Sequence, residues 1–351
     1  MNPIEIKKYL LSNAEEQQEL FALSNNIREK HIGRNVYFRG IIEFSNICEK
    51  NCFYCGIRHD NENVERFRMD YDEIKECLRF IKQANFGSVV LQSGEMTSNG
   101  AKDYLLQLVD YIHLTYPEYG ITISCGELDY DYLKSLKEAG ATRYLLRIET
   151  SVRSLYSKLH PSDHSFENRM ECLRNMKRLD YQVGTGNMIG IPGQTTDDLL
   201  ADLRFFQEID ADMFGLGPYV IHEDTPLVNR EIKRWWEENR QIIYNKTLNF
   251  IAVLRILMPT CNIAAATALD VFNPKGRTEA LRVGANIIMP VVTPSMYRKK
   301  YLLYQDKPCI DENAEMCAMC TINKVKLAGL NTVLGVRGDS EHFKLSSIGR
   351  L

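Results

Sequence analysis

The chain has 351 residues, 44% hydrophobic and 25% charged, with a formal net charge of -3. That length suits one large α/β barrel or two ordinary domains, and the near-neutral balance carries no electrostatic footprint for nucleic acid or an anionic membrane surface. No stretch reaches the apolar length that a bilayer span needs, and the N-terminal residues read as a helix, not a secretion signal. Ten cysteines without such a signal point to a reducing cytoplasm and to metal ligation, not disulfides.

In chain order, residues 1–34 read as a helical extension. Short apolar runs then alternate with amphipathic stretches, the signal of a parallel sheet. The runs predict strands over 36–43, 88–92, 121–125, 143–147, 182–188, 213–217, 262–265 and 287–289. Helical patterns lie between them over 71–83, 104–114, 130–139, 166–179, 197–209, 230–257 and 277–283. Asp70 and Thr195 or Thr196 suit N-caps, and Gly140 and Gly284 suit helix stops. Eight strands with intervening helices predict a complete (β/α)8 barrel over 35–305, followed by a cysteine-containing segment over 306–351. A doubly wound open sheet is the competing architecture.

The most informative stretch follows the first strand: Cys48, Cys52 and Cys55, spaced C-x3-C-x2-C. Three thiolates are one short of the set a cubane iron–sulfur cluster needs, which leaves one iron open to a small molecule. Zinc sites usually present paired C-x2-C knuckles and four ligands, and a zinc knuckle is the alternative here. The strand ends supply further polar groups. Gln92-Ser93-Gly94-Glu95 offers carbonyls and a carboxylate to an ammonium group, with a glycine that allows close backbone approach. Arg147 and Glu149 form a charged pair at the barrel mouth, and Arg169 opens the next helix with a guanidinium suited to a carboxylate that Glu149 would orient. The turn 186–194 contains Met188, Ile191 and Pro192. Thr267, then Tyr297, Tyr301 and Tyr304, lie near later strand ends, the tyrosines at helical spacing. A second triad, Cys309, Cys317 and Cys320, suits a further iron–sulfur cluster or a zinc site completed by His342 or a carboxylate.

The cysteine triad with Tyr54 before its last cysteine resembles the radical S-adenosylmethionine (SAM) superfamily. Leu91 to Glu95, Gly190 to Gln194, Gly284 to Pro290, Thr293-Pro294-Ser295 and the C-terminal triad are similar to the HydE family of hydrogenase maturases, related to biotin synthase and methylornithine synthase. The resemblance implies a [4Fe-4S] cluster on Cys48, Cys52 and Cys55. It implies SAM bound by Tyr54, Gln92, Ser93, Gly94, Glu95, Glu149, Arg169, Met188, Ile191 and Pro192. Reductive cleavage would give a 5′-deoxyadenosyl radical that attacks the sulfur of a cysteine-bound iron complex, with Arg39, Arg147, Thr150, Thr267 and Tyr304 as substrate contacts. A ferredoxin or flavodoxin would supply electrons, and no nucleic acid or membrane partner is expected. The sequence departs from the family at Ile148, where the family has histidine, and at Ala266, where it has threonine. Both departures bear on the substrate, which could be another thiol, thioether or amino acid.

Overall fold

A computed structural model describes residues 1–348. Its strands are β1 (Asn35–Phe38), β2 (Gly40–Ser45), β3 (Ser88–Ser93), β4 (Gly120–Ser124), β5 (Arg143–Leu145) and β6 (Gln182–Thr185). They continue with β7 (Met188–Ile189), β8 (Met213–Phe214), β9 (Gly217–Pro218), β10 (Asn262–Ile263), β11 (Ile287–Ile288) and β12 (Asn331–Val333). Seven strands form one parallel sheet in the order β10-β8-β6-β5-β4-β3-β2. The sheet closes through β11: Ala264 bridges Ile287, β11 pairs with β1, and Ile41 at the start of β2 bridges Val291. β1 and β2 are two halves of one barrel strand interrupted at Arg39. Closure excludes the open doubly wound sheet.

The local causes are visible in the sequence. β3 is Ser-Val-Val-Leu-Gln-Ser and is buried on both faces, as a strand between barrel interior and outer helices must be. The following layer is built by helices such as Tyr71–Gln83, which buries Ile74, Cys77, Leu78 and Ile81 along one stripe. Asp70 caps it in a reciprocal capping box with Glu73. Thr195 does the same with Asp198 for the helix Thr196–Glu208. Gly140 ends its helix at φ +114, where a Cβ would meet His113 at 2.5 Å.

Three differences from the expected pattern matter for the site. The runs 182–188 and 213–217 are broken, because β7 and β9 splay off as a separate pair at the barrel mouth. The tyrosine triplet is not helical: the helix Ser295–Arg298 ends early, and the fully buried Arg298 holds the chain beyond it by donating to Thr293 O, Val291 O and Cys309 O. Tyr297 therefore stacks on Phe67 at 4.6 Å, whereas Tyr301 and Tyr304 face the barrel interior. Finally, the C-terminal segment seals the opposite end of the barrel. Asp339 accepts from Arg143 (2.5 Å) and Gln182 (2.7 Å), and Gly338 O accepts from Arg39 (3.1 Å) and Asn262 (3.0 Å). The N-terminal helices Pro3–Leu11 and Ala14–Ile32 pack on the helix Arg230–Leu257.

Candidate active site

The loop after β2 carries the three cysteines to the C-terminal mouth of the barrel. It contains little regular structure and is held by side chains. Arg66 donates to the carbonyls of Asn46, Ile57, Arg58, His59 and Asn61 at 2.6–3.2 Å, and Asn46 donates to Glu65 O and Lys300 O. A single guanidinium thus satisfies five buried-loop acceptors that no helix or sheet could reach. Cys48, Cys52 and Cys55 are free thiols lining a cavity of about 360 Å³. Burial raises all three, Cys52 to about 12, against the opposing pull of Arg169. Such thiols stay protonated until a bound cation replaces the protons.

The spacing of the sulfurs separates the two metal readings. Thiolates around one zinc ion sit ~3.8 Å apart, given Zn–S bonds of about 2.3 Å. Among the described residues, the side chains whose donor atoms all fall within 4.8 Å of one another are Cys309, Glu312 and Cys317. The sulfurs of Cys48, Cys52 and Cys55 do not all lie within 4.8 Å of one another, and the three residues line the cavity. That donor set fits a cluster with one iron free better than it fits a single zinc ion.

Ser93 ends β3, and Gly94 and Glu95 follow it directly beneath this loop. A Cβ on Gly94 would lie 2.3 Å from Ile47 O and 2.7 Å from Cys48 Cβ, so the glycine is what lets the cysteine loop approach. The Glu95 N–H points at Cys48 Sγ (3.4 Å), and Glu49 N–H donates to Glu95 O (2.8 Å). The Glu95 carboxylate begins a charge relay along the rim. Lys50 bridges Glu95 and Glu127 at 3.3 Å each, and Glu127 pairs with Arg169 at 2.5 Å. Arg169 also donates to Arg147 O (2.7 Å), and Glu127 N–H donates to Glu95 (2.8 Å). Burial and the neighbouring Glu127 push the Glu95 carboxyl up; Glu127 itself is held down because Arg169 and Lys50 outweigh its burial.

Arg169 is therefore oriented by Glu127, which corrects the expectation that Glu149 would do so. Glu149 pairs instead with Arg147 (2.9 Å) and sits at φ +64, a strained position for a residue with a side chain. Its carboxyl is raised by burial and tempered by Arg147. Lys50 and Glu127 were not singled out in the sequence. The available signal was position alone, one inside the cysteine loop and the other just after β4.

Of the other expected SAM contacts, Gln92, Ser93 and Met188 line the cavity. Ile191 and half-buried Pro192 do not; Ile191 packs behind Met188 against Tyr219, Trp236 and Ile243. Among the expected substrate contacts, Arg147, Thr267 and Tyr304 line the cavity. Arg39 does not, because it lies at the sealed end against Met213 and Gly338. Thr150 is turned away too, buried against Asp202. Ile148 is fully buried in the outer core, so the departure there does not alter the cavity wall. Ala266 lines the wall beside Thr267, and that loss of a hydroxyl is real. The structure adds a buried ion pair on the facing wall: Lys307 contacts Glu43 at 2.6 Å and donates to Tyr301 O at 2.9 Å. Tyr301 in turn accepts from Gln92 at 3.2 Å.

The second cysteine group brings a carboxylate to two of its three thiols. Cys309 and Cys317 are joined by Glu312, while Cys320 lies outside that compact group and His342 pairs with Asp210 elsewhere. The neighbouring Cys317 thiol and the Arg277 guanidinium, 3.6 Å from Cys309 Sγ, bring the Cys309 thiol down.

Comparison with known proteins matches this architecture. Residues 42–206 match the model of the radical SAM superfamily. Over 314 residues the chain is 45% identical to "[FeFe] hydrogenase maturase subunit HydE" of Thermotoga maritima, covering 89% of this chain and 86% of that one. The chain belongs to the radical SAM superfamily, in its HydE family. It is also 30% identical to 3-methylornithine synthase of Methanosarcina acetivorans, over 80% of this chain and 77% of that protein. The crystal structure of methylornithine synthase (PylB) superposes with a TM-score of 0.79 at 24% identity, covering 99% of this chain and 96% of that one. Family membership makes the protein a radical SAM enzyme that uses a [4Fe-4S] cluster and SAM. Among the described residues, no helix is long and apolar enough to cross a membrane.

Proposed function

We propose that the protein cleaves SAM reductively and directs the 5′-deoxyadenosyl radical to the sulfur of a small cysteine-derived iron complex, as a step in assembling the diiron cofactor of [FeFe]-hydrogenase. The observation that carries the reading is the set of three thiols lining one cavity together with Glu95, Glu149, Arg147 and Arg169. The 45% identity to the Thermotoga maritima maturase supports the substrate class.

When bound, the cluster and SAM supply the one-electron bond cleavage, with iron on Cys48, Cys52 and Cys55. The protein's own residues bind and orient. Glu95 and the carbonyls around Gln92, Ser93 and Gly94 accept hydrogen bonds from the methionyl ammonium. Arg169, fixed by Glu127, holds the methionyl carboxylate through a bidentate fork. Tyr54 and Met188, which line the cavity, would flank the nucleoside, with Ile191 behind Met188. Arg147, Thr267 and Tyr304 face the substrate from the remaining wall. The barrel over 35–305 is the catalytic unit, and the flanking 1–34 and 306–351 brace it. A ferredoxin or flavodoxin supplies electrons, in the cytoplasm.

The test is anaerobic: reconstitute with iron and sulfide, reduce, add SAM, and follow 5′-deoxyadenosine with and without a cysteine-ligated iron carbonyl cyanide complex. SAM consumption with adduct formation on that complex is expected. Nucleoside release that the complex neither accelerates nor diverts into adduct would overturn the substrate assignment, and no SAM cleavage at all would overturn the reading entirely. The second reading, an amino-acid mutase, is favoured by the 30% identity to 3-methylornithine synthase. Lysine would then be isomerised under the same conditions.

A further inference from the structure

Cys52 lies against a histidine to which the reading above gives no role. His164 sits between the helices Arg153–Leu159 and Phe166–Arg178 and is 8% exposed. Its Nε2 accepts a hydrogen bond from the backbone N–H of Asn51 at 3.3 Å. A ring nitrogen that accepts carries no proton, so the ring's N–H is on Nδ1. Nδ1 is the atom facing Cys52 Sγ, at 4.0 Å. Asp163 does not reverse the tautomer: its carboxylate is 3.8 Å from Nε2, beyond hydrogen-bond reach, and its side chain is 81% exposed. The neighbouring His160 is different in kind, bonded to Tyr156 O and stacked on the Tyr156 ring at 3.9 Å.

The three ligand sulfurs are also served unequally. Cys48 takes the backbone N–H of Glu95 at 3.4 Å. At Cys52 the polar neighbour is a side chain, His164. Hydrogen bonds to ligand sulfur draw electron density from the thiolate and ease reduction of the iron it holds.

We infer that His164 is a positioning residue that donates its Nδ1–H to the Cys52 ligand sulfur and raises the reduction potential of the cluster. The role is separable from merely bracing the loop, because the two ring nitrogens do different work. An asparagine at 164 places an amide donor where Nδ1 was. A glutamine places its polar end where Nε2 was and can only accept from Asn51.

The experiment is an electron-paramagnetic-resonance redox titration, without SAM, of the full-length reconstituted protein and its His164→Leu, His164→Asn and His164→Gln variants. At the wild-type midpoint, His164→Leu is expected to lower the reduced-to-oxidised ratio about tenfold, which is ~59 mV for a one-electron couple. His164→Asn should restore the ratio to within about twofold and His164→Gln should not. A wild-type midpoint in His164→Leu overturns the proposal. Rescue by glutamine and not by asparagine also overturns it, by assigning His164 to the support of Asn51. If His164→Leu takes up too little iron to titrate, the asparagine and glutamine variants decide between the same two outcomes.

Discussion

Gly94→Ala tests whether the approach of β3 to the cysteine loop is as tight as its geometry shows. The added methyl would lie 2.3 Å from Ile47 O, and ordinary contact begins at 3.4 Å, so one backbone must retreat by 3.4 − 2.3 = 1.1 Å. The obstacles are a carbonyl and the Cβ of a cluster ligand, neither of which can rotate aside. Overpacking of this kind costs about 1–3 kcal/mol of stability, and a misplacement of about 1 Å costs about 100-fold in rate. Gly94→Ala is therefore expected to fold, with a depressed melting temperature, to bind less iron after reconstitution, and to form 5′-deoxyadenosine about 100-fold more slowly. Gly193→Ala is the matched control. That glycine sits at φ +80, so alanine there is strained by about 1–2 kcal/mol, but nothing lies within 4 Å of its Cβ and the cysteine loop is untouched. Iron content and nucleoside formation in Gly94→Ala equal to those of Gly193→Ala would show that the loop has slack, and the argument from close approach would fail.

Cys52→Ser is expected to abolish nucleoside formation and most iron binding, whereas Cys317→Ser should retain SAM cleavage; equal loss in both would mean that the two cysteine groups have been ranked wrongly. Glu127→Gln removes the carboxylate shared by Lys50 and Arg169. It should raise KM for SAM about tenfold while kcat falls less, and a change confined to kcat would contradict a binding role. Asp202 predicts a pH effect on stability. Burial raises its carboxyl from 3.8 to about 6, against hydrogen bonds from Ser151 and Asn187. The folded state therefore holds the proton that the unfolded state has lost, so the contribution is present below about pH 4 and disappears by about pH 6 to 7, up to roughly 3 kcal/mol. Melting temperature measured across that window should fall with rising pH in the wild type and fall less in Asp202→Asn, which is less stable overall; parallel slopes would refute the assignment.

The barrel was legible because a parallel strand covered on both faces must be apolar throughout, and its helices announce their starts. Ser88 to Ser93 and the Asp70–Glu73 capping box are local signals that nothing distant overrides. What failed depended on partners far along the chain. The break at Arg39 is explained by a carbonyl 299 residues later, and that same contact removes Arg39 from the cavity. The helical spacing of Tyr297, Tyr301 and Tyr304 is genuine in the sequence, but Arg298 spends its guanidinium on three carbonyls, including that of Cys309, and ends the helix there.

The charge relay shows where further sequence reasoning was possible. Lys50, Glu95, Glu127 and Arg147 stand shortly after or at the ends of β2, β3, β4 and β5, which are consecutive neighbours in the sheet. In a closed parallel barrel, residues at the same height past adjacent strands are neighbours on the rim. The strand order alone therefore places a lysine beside a glutamate, beside a second glutamate, beside an arginine. Two adjacent carboxylates need cations on both sides, and Lys50 and Arg169 are those cations. Motif matching found Glu95 and Arg169 as separate points. Reading the rim as a ring would have added Lys50 and Glu127 to Glu95; Arg169 reaches that ring from the helix Phe166–Arg178, bonding Glu127 and the Arg147 carbonyl.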